Sequence, residues 1–247
     1  MLKRERHAYI LQQLNIHNKV LSSDLSEELK VSEDTIRRDL QQLDEERKLN
    51  KVHGGALSKS FQVSISGAVY SLPEKKMIAS KAVQLIQDGM FIILGGGTTV
   101  RELVKALPER LSATFITPAI PTALALLAHP TAEVIFIGNK LSKTTQMATD
   151  PEVLERLKNI HADYCFLGTN SIDAEAGITD LEWETIEIKK AIMKSSRKTV
   201  SLAISEKLGT KQHIKLCDIR ETDILITELS PDHQMLKPYR EKRITVL

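Results

Sequence analysis

VSEDTIRRDLQQLDEERKLNKVHGG, residues 31–55, is the stretch on which the reading of this chain turns. Ser32 stands where a helix N-cap accepts a backbone N–H, and Glu33 and Asp34 put negative charge at the positive end of the helix dipole. Ile36, Leu40 and Leu43 recur at helical spacing, so a helix burying that face is expected over about 33–46. Arg37 and Arg38 then stand on its outward side. Lys48–Gly55, basic and closed by Gly54-Gly55, reads as a hairpin behind the helix. A capped helix with adjacent arginines and a basic wing suits the reading of double-stranded DNA. A guanidinium fork matches guanine O6 and N7, or a phosphate, bidentately. The candidate DNA-binding residues are Ser32, Thr35, Arg37, Arg38, Lys51 and His53. Two arginines alone would be ordinary solvated side chains on an amphipathic helix; the combination with cap and hairpin is far more specific.

Toward the N-terminus, Ile10, Leu11 and Leu14 give one apolar helical face, and Val20-Leu21 a very short extended piece. Ser22 or Ser23 is expected to cap a second helix, whose Leu25 and Leu29 pack with Val31, Ile36 and Leu40. One helix of such a pair crosses the phosphates and aims the other at the major groove. Residues 1–57 hold ten Lys plus Arg against ten Asp plus Glu, and the whole chain has a formal charge of only +2. Attraction to DNA must therefore come from arrangement, with Arg4, Arg6, Arg37, Arg38, Arg47, Lys48 and Lys51 able to share one face.

Toward the C-terminus, 58–74 carries serines, a glycine and a proline without period, and is expected to be a linker. Beyond it, apolar runs at 91–94, 114–117, 134–138, 164–168, 199–203, 224–227 and 244–247 mostly alternate with helix-like segments. Continuous apolar strands imply burial on both faces, hence a mostly parallel α/β sheet. The domains expected are 1–57, a linker 58–74, and 75–247. At FIIL-GGGTT-VRELVKAL a strand ends, glycines turn the chain, and a helix begins near Thr99. Backbone N–H groups of such a turn, with Thr98 and Thr99, make an anion site; equally, the glycines merely turn the chain. The loop is neither a P-loop nor a dinucleotide fingerprint.

Cys165 and Cys217 belong to no metal-spaced cluster and read as buried thiols. No metal and no cofactor is expected, since none of the seven histidines forms an HxxxH or HExxH pair. No apolar stretch nears a membrane span and the start lacks signal-peptide character, so a cytoplasmic protein without membrane attachment is expected. Trp183 is expected to pack the helix over 182–195.

VSEDTIRRDLQQL…KVHGGA resembles the N-terminal signature of the DeoR family of bacterial transcriptional regulators, over residues 3–57. Arg47 departs from it, standing where the family usually has glycine and straining the turn if positive φ is needed. EKKMIA at 74–79, GTT at 97–99, FLGTNSIDAEAGIT at 166–179 and SEKLG at 205–209 resemble that family's sensor domain. The resemblance implies a winged helix-turn-helix followed by a Rossmann-like domain similar to ribose-5-phosphate isomerase. It implies an effector pocket lined by Gly97, Thr98, Thr99, Thr117 and Lys207. Lys207 alone reads equally as a surface lysine or a point charge for phosphate. Gly95-Gly96, Thr117-Pro118, Gly138-Asn139 and Ile204 depart from the family pattern and remove groups that grip sugar hydroxyls. The expected effector is therefore phosphorylated or anionic but unlike the usual sugar phosphate, unless the pocket is degenerate.

The resemblance implies a repressor of a carbohydrate-catabolism operon, binding operator DNA as a homodimer or homotetramer and controlled at the 95–99 loop. An isomerase-like enzyme needs a positioned carboxylate base. Asp163, Asp173 and Glu175 are the nearest candidates and lack a partner at evident spacing, so no catalytic residue is expected. A DNA-binding protein without ligand is disfavoured by the size of the second domain.

Overall fold

The computed structural model describes residues 1–58, 69–143 and 145–247. Most of the segment expected as a linker lies outside them. Compactness divides the chain into Met1–Tyr70 and Ser71–Leu247.

The first unit comprises α1 (Lys3–His17), β1 (Lys19–Leu21), α2 (Ser22–Leu29), α3 (Glu33–Glu45), β2 (Asn50–Val52) and β3 (Gly55–Leu57). The strands form an antiparallel sheet in the order β1-β3-β2. Ile10, Leu14, Leu25, Ile36, Leu40, Leu43 and Leu49 are each at most 2% exposed and make one core. Each such burial stabilises by about 1.5–3 kcal/mol.

Two Schellman motifs shape the unit. After α2, Lys30 at φ +52° lets its N–H reach Glu27 O and that of Val31 reach Ser26 O, which makes the sharp turn into α3. After α3, the Arg47 and Lys48 N–H groups reach Asp44 O and Leu43 O, both at 2.8 Å. Arg47 does take the left-handed conformation, at φ +56°. In the wing turn, Gly54 has φ +77°, and a Cβ on Gly55 would lie 2.0 Å from Val20 O. The first glycine supplies a dihedral and the second a close approach to β1.

Two expectations need correction here. Neither Ser22 nor Ser23 caps α2: the N-cap is Leu21, with no side-chain bond. β1 runs directly into the helix, so the Ser22 N–H bonds Gly54 O while the Ser23 hydroxyl donates to Asp24. Arg6 does not join a DNA-facing surface. Its guanidinium forms a buried bidentate pair with Asp39, one bond being Nη2 to Oδ1 at 3.1 Å, and His7 Nε2 lies 3.0 Å from the same Oδ1. The third residue of the Arg-Arg-Asp run thus faces inward and ties α3 to α1.

The second unit is built on a seven-stranded, wholly parallel sheet, as described, of β4 (Phe91–Leu94), β5 (Thr114–Thr117), β6 (Glu133–Phe136), β7 (Ala162–Gly168), β10 (Ser196–Leu202), β12 (Ile224–Ile226) and β13 (Thr245–Val246). The order is β13-β12-β10-β7-β4-β5-β6. Ile93, Cys165 and Leu167 face a cluster that includes Val153 and Leu157 of α7 (Pro151–Leu157) and Ile188 and Ile192 of α8 (Trp183–Lys194). The alternating Ile92, Leu94 and Phe166 are fully buried on the other face, where α5 (Thr98–Lys105), beside α6 (Ile120–Leu127), lies against β7. Burial on both faces is what the continuous apolar runs imply.

α4 (Leu72–Ala82) begins inside the segment expected as linker, with Pro73 in its first turn. The chain leaves β4 toward β5 and β6, then returns past it to β7, β10 and β12. That reversal puts a topological switch point at the carboxyl ends of β4 and β7, the place where open α/β sheets bind ligands. A separate antiparallel sheet, β11-β9-β8, is formed by β8 (Ser171–Asp173), β9 (Gly177–Asp180) and β11 (Ile214–Cys217).

Candidate nucleic-acid interface and anion site

Ser32 caps α3: its Oγ accepts the Thr35 N–H at 3.3 Å and lies 3.0 Å from Thr35 Oγ1. Arg37 and Arg38, one turn on, are both exposed. Arg37 is steadied by Glu33 at 3.1 Å and Asp34 at 3.4 Å. Such exposed pairs are worth about 0–1 kcal/mol, so a phosphate or base edge can displace them. The wing is fastened to the same helix. Asp44 Oδ1 accepts the Lys51 N–H at 3.1 Å, and Lys51 Nζ donates to Gln41 Oε1 at 2.8 Å. Between helix and wing lies a groove of about 700 Å³, lined among others by Glu33, Arg37, Gln41, Lys51 and His53. The structure thus brings Arg37, Lys51 and His53 to one concavity. Ser32 and Thr35 sit at the helix start, and Arg38 on the exposed face beside the groove. Lys48 is engaged by Glu46 at 2.7 Å.

In the second unit, Gly97 at φ +112° is the N-cap of α5, which opens with Thr98 and Thr99. The Gly95 N–H is held by Phe166 O at 3.0 Å, and Gly95 O accepts the Thr122 hydroxyl at 3.0 Å. A Cβ on Gly168 would lie 2.9 Å from Gly96 O, so the loops after β4 and β7 meet at the switch point. Lys207, following β10, donates from Nζ to Thr169 O at 2.7 Å. It is therefore not a freely solvated lysine. Burial, with the neighbouring charges of Lys75 and Lys189, pulls its ammonium down to about 7 against Asp180 and Glu206.

Sequence reasoning missed the rest of this cationic cluster. Lys75 of α4 is 6% exposed, and burial brings it down to about 8 against Glu102, Glu206 and Glu74. Arg101, also buried, sits one turn into α5, and burial lowers its pKa against the pull of Glu102. Lys189 is paired at 2.8 Å with Asp180, which also accepts from Asn170 Nδ2 at 2.8 Å. Burial works to raise the Asp180 pKa, but Lys189 and the hydrogen bonds hold it below the ordinary carboxylate value. Lysines spaced along helices read as solvated until the tertiary fold buries them; the EKK of 74–76 was the one available signal.

Thr117 does not line this crevice as an open hydroxyl. It is fully buried, and its Oγ1 accepts the Ala119 N–H at 3.1 Å, closing the turn after β5. Trp183 is 66% exposed and does not pack its helix. It is the first residue of α8, and helical side chains lean toward the N-terminus, where there is no further turn to lie on. The acids weighed as bases have structural partners. Asp163 accepts the Phe91 N–H at 2.9 Å, Asp173 accepts those of Glu175 and Ala176, and Glu175 pairs with Lys242 at 2.7 Å. Cys165 and Cys217 are buried free thiols. Among the described residues no helix is long and apolar enough to cross a membrane, and no His, Cys, Asp and Glu cluster suits a metal.

Residues 6–62 match the family model of the DeoR-like helix-turn-helix domain, and residues 71–229 that of the DeoR C terminal sensor domain. The HTH-type transcriptional regulator YulB of Bacillus subtilis is 31% identical over 251 residues, covering 100% of this chain and 96% of its own. The HTH-type transcriptional repressor GlcR of the same species is 32% identical over 236 residues, covering 94% and 91%. Ribose 5-phosphate isomerase A from Methanocaldococcus jannaschii aligns with a TM-score of 0.41 at 18% identity, over 54% of this chain and 53% of its own.

Proposed function

This chain belongs to the DeoR family of helix-turn-helix transcriptional regulators, and on that premise we propose that it is a cytoplasmic, non-catalytic repressor of a carbohydrate-catabolism operon, released or engaged by a small phosphorylated metabolite. Its domains are the winged helix-turn-helix of 1–57 and the sensor of 75–247. Arg37, Arg38, Lys51 and His53 contact operator DNA, with Ser32 and Thr35 placed against a phosphate at the start of α3. Arginine and lysine there act by placement, because the unit has no net charge with which to attract DNA. One short recognition helix offers few contacts, so two copies at least, as a homodimer or homotetramer, supply operator affinity.

The effector half rests on one observation: the buried Lys75 and Arg101 and the half-buried Lys207 converge where the α5 N-terminus meets the switch point. Gly97, Thr98 and Thr99 present backbone N–H and hydroxyl donors, and Lys207, Lys75 and Arg101 supply charge. A phosphate is the kind of ligand that such a crevice, with helix N-terminal donors and nearby cations, favours. Its binding favours one sensor conformation and so changes DNA affinity through linkage. Two variants separate the halves. Arg37→Ala is expected to lose specific DNA binding in fluorescence anisotropy while keeping ligand-induced thermal stabilisation. Thr98→Ala is expected to bind DNA normally and lose the stabilisation. Loss of both properties in either variant would refute the assignment.

A further inference from the structure

The eight residues of α6 read IPTALALL and carry no charge. A helix that is apolar all round belongs in an interior, yet Leu124 and Leu127 are 50% and 69% exposed. With Ile120 they form one stripe, at helical spacings of four and three. The buried side is that of Thr122, Ala123 and Leu126. The Thr122 hydroxyl reaches back to Gly95 O after β4, so the stripe, on the other flank of the helix, faces the β6 end of the sheet. β6 is the last strand there. Its Ile135 packs against the cluster of Val153 and Leu157, and alternation turns Val134 and the exposed Phe136 to the α6 face. The Glu133 and Ile137 N–H groups bond Ala113 O and Thr117 O at 3.1 and 3.2 Å, so the main-chain groups of Val134 and Phe136 point outward from the sheet. Sheet edges are commonly blunted by lysine, proline or a very short strand. The far edge is blunted so, β13 having two residues that follow Lys242 and Arg243. β6, EVIF, has neither lysine nor proline.

We propose that the β6–α6 edge is the surface on which a second copy of this chain docks, the two β6 strands pairing antiparallel so that two sheets become one. The inference rests on the reading that operator binding takes at least two copies. A two-fold axis normal to the sheet makes the two edge strands antiparallel, and the alternating donors and acceptors of an edge match those of its own reversed copy. The same axis keeps both α6 helices on one face of the joined sheet, where their stripes cover each other. The stripe is uncharged, so it does not repel itself. Residues 120–141, which hold both elements, are comparable in number with the roughly 20–30 that each side of a standard interface contributes.

Sedimentation velocity of the full-length protein over a concentration series reads the assembly. The wild type is expected to be a dimer or larger. Leu124→Glu/Leu127→Glu is expected to self-associate at least about a hundredfold more weakly, since it sets like charges against one another. Both positions are exposed, so the variant should fold, as circular dichroism reads; Phe136→Glu serves in its place if it does not. Leu124→Lys/Leu127→Lys should dissociate in the same way. An equal mixture of the acidic and basic variants should recover the assembly, which happens only where this face meets its own copy. A wild type that stays monomeric overturns the two-copy reading, and this inference with it. A wild-type assembly that survives the acidic substitutions, or acidic and basic variants that fail to combine, overturns the β6–α6 interface alone.

Discussion

Asp39→Ala is expected to destabilise the DNA-binding unit strongly although Asp39 sits between the helices and not on the DNA face. The side chains of Arg6 and Asp39 are only 10% and 3% exposed, so their interaction belongs to the buried regime. Removing one partner of such a pair costs about 3–5 kcal/mol, because the other charge is left uncompensated. A unit of this size, at roughly 0.1 kcal/mol per residue, holds only several kcal/mol in total. At about 4–8 °C per kcal/mol for a small domain, its melting point should fall by more than roughly 12 °C. Hydrogen exchange of the amides of α3 in the full chain reads this directly. The double variant Arg6→Met/Asp39→Leu removes both charges together and should recover most of the loss. Acid should mimic the variant. Burial works to raise the Asp39 pKa, but Arg6 and His7 hold it below the ordinary value. The stability is therefore present above the unfolded value of about 3.9 and is lost as pH falls through the folded pKa. A loss under about 1 kcal/mol in Asp39→Ala, or a double variant as damaged as the single, would refute the reasoning.

Arg47→Gly should stabilise the N-terminal unit by about 0.5–1 kcal/mol in urea unfolding. It relieves a left-handed arginine worth about 1–2 kcal/mol while adding some unfolded-state entropy. Ser32→Ala should cost about 1 kcal/mol by removing the α3 cap, with a matching fall in urea midpoint. Lys207, brought down to about 7, destabilises the ligand-free sensor most below pH 7, where it must be charged in both states. That penalty fades as pH rises from about 7 toward the ordinary lysine value near 10.4. A phosphate dianion that restores the ammonium should then take up protons at pH 8. Titration heats should differ between Hepes and Tris for the wild type, and the difference should shrink in Lys207→Met to what Lys75, at about 8, still takes up; equal heats in the wild type would contradict the coupling.

The recognition helix was legible because a cap, a helical repeat and two outward arginines coincide in thirteen residues of α3 and its flank. The parallel sheet was legible because strands buried on both faces have no polar alternation, and FIIL and YCFLG show none. Arg6 was misleading because it stands in a charged N-terminal run, and only the packing of α1 on α3 shows that it faces Asp39. Strands β8 and β9 were hidden by their three and four residues, too short for a period and joined by a turn that Asp173 closes. Lys75, Arg101 and Lys189 were hidden for a related reason: helical positions do not announce that a distant loop will bury them. Gly96 was visible as a departure, but that Met147 fills its place depends on a contact across 51 positions, between the loop after β4 and the segment after β6.

The central claim, one molecule that reads DNA and is governed from the 95–99 loop, is tested most directly by anisotropy of the full-length protein on DNA it has itself selected from a random pool. Glycerol 3-phosphate is titrated into complexes of the wild type and of Lys207→Met. The account predicts that the phosphate shifts wild-type DNA affinity by about 5–150-fold, the span of an ordinary coupling energy, and that Lys207→Met binds the same DNA as tightly but no longer responds. A variant that responds as the wild type does, or a wild type indifferent to this and every longer phosphate, would contradict it.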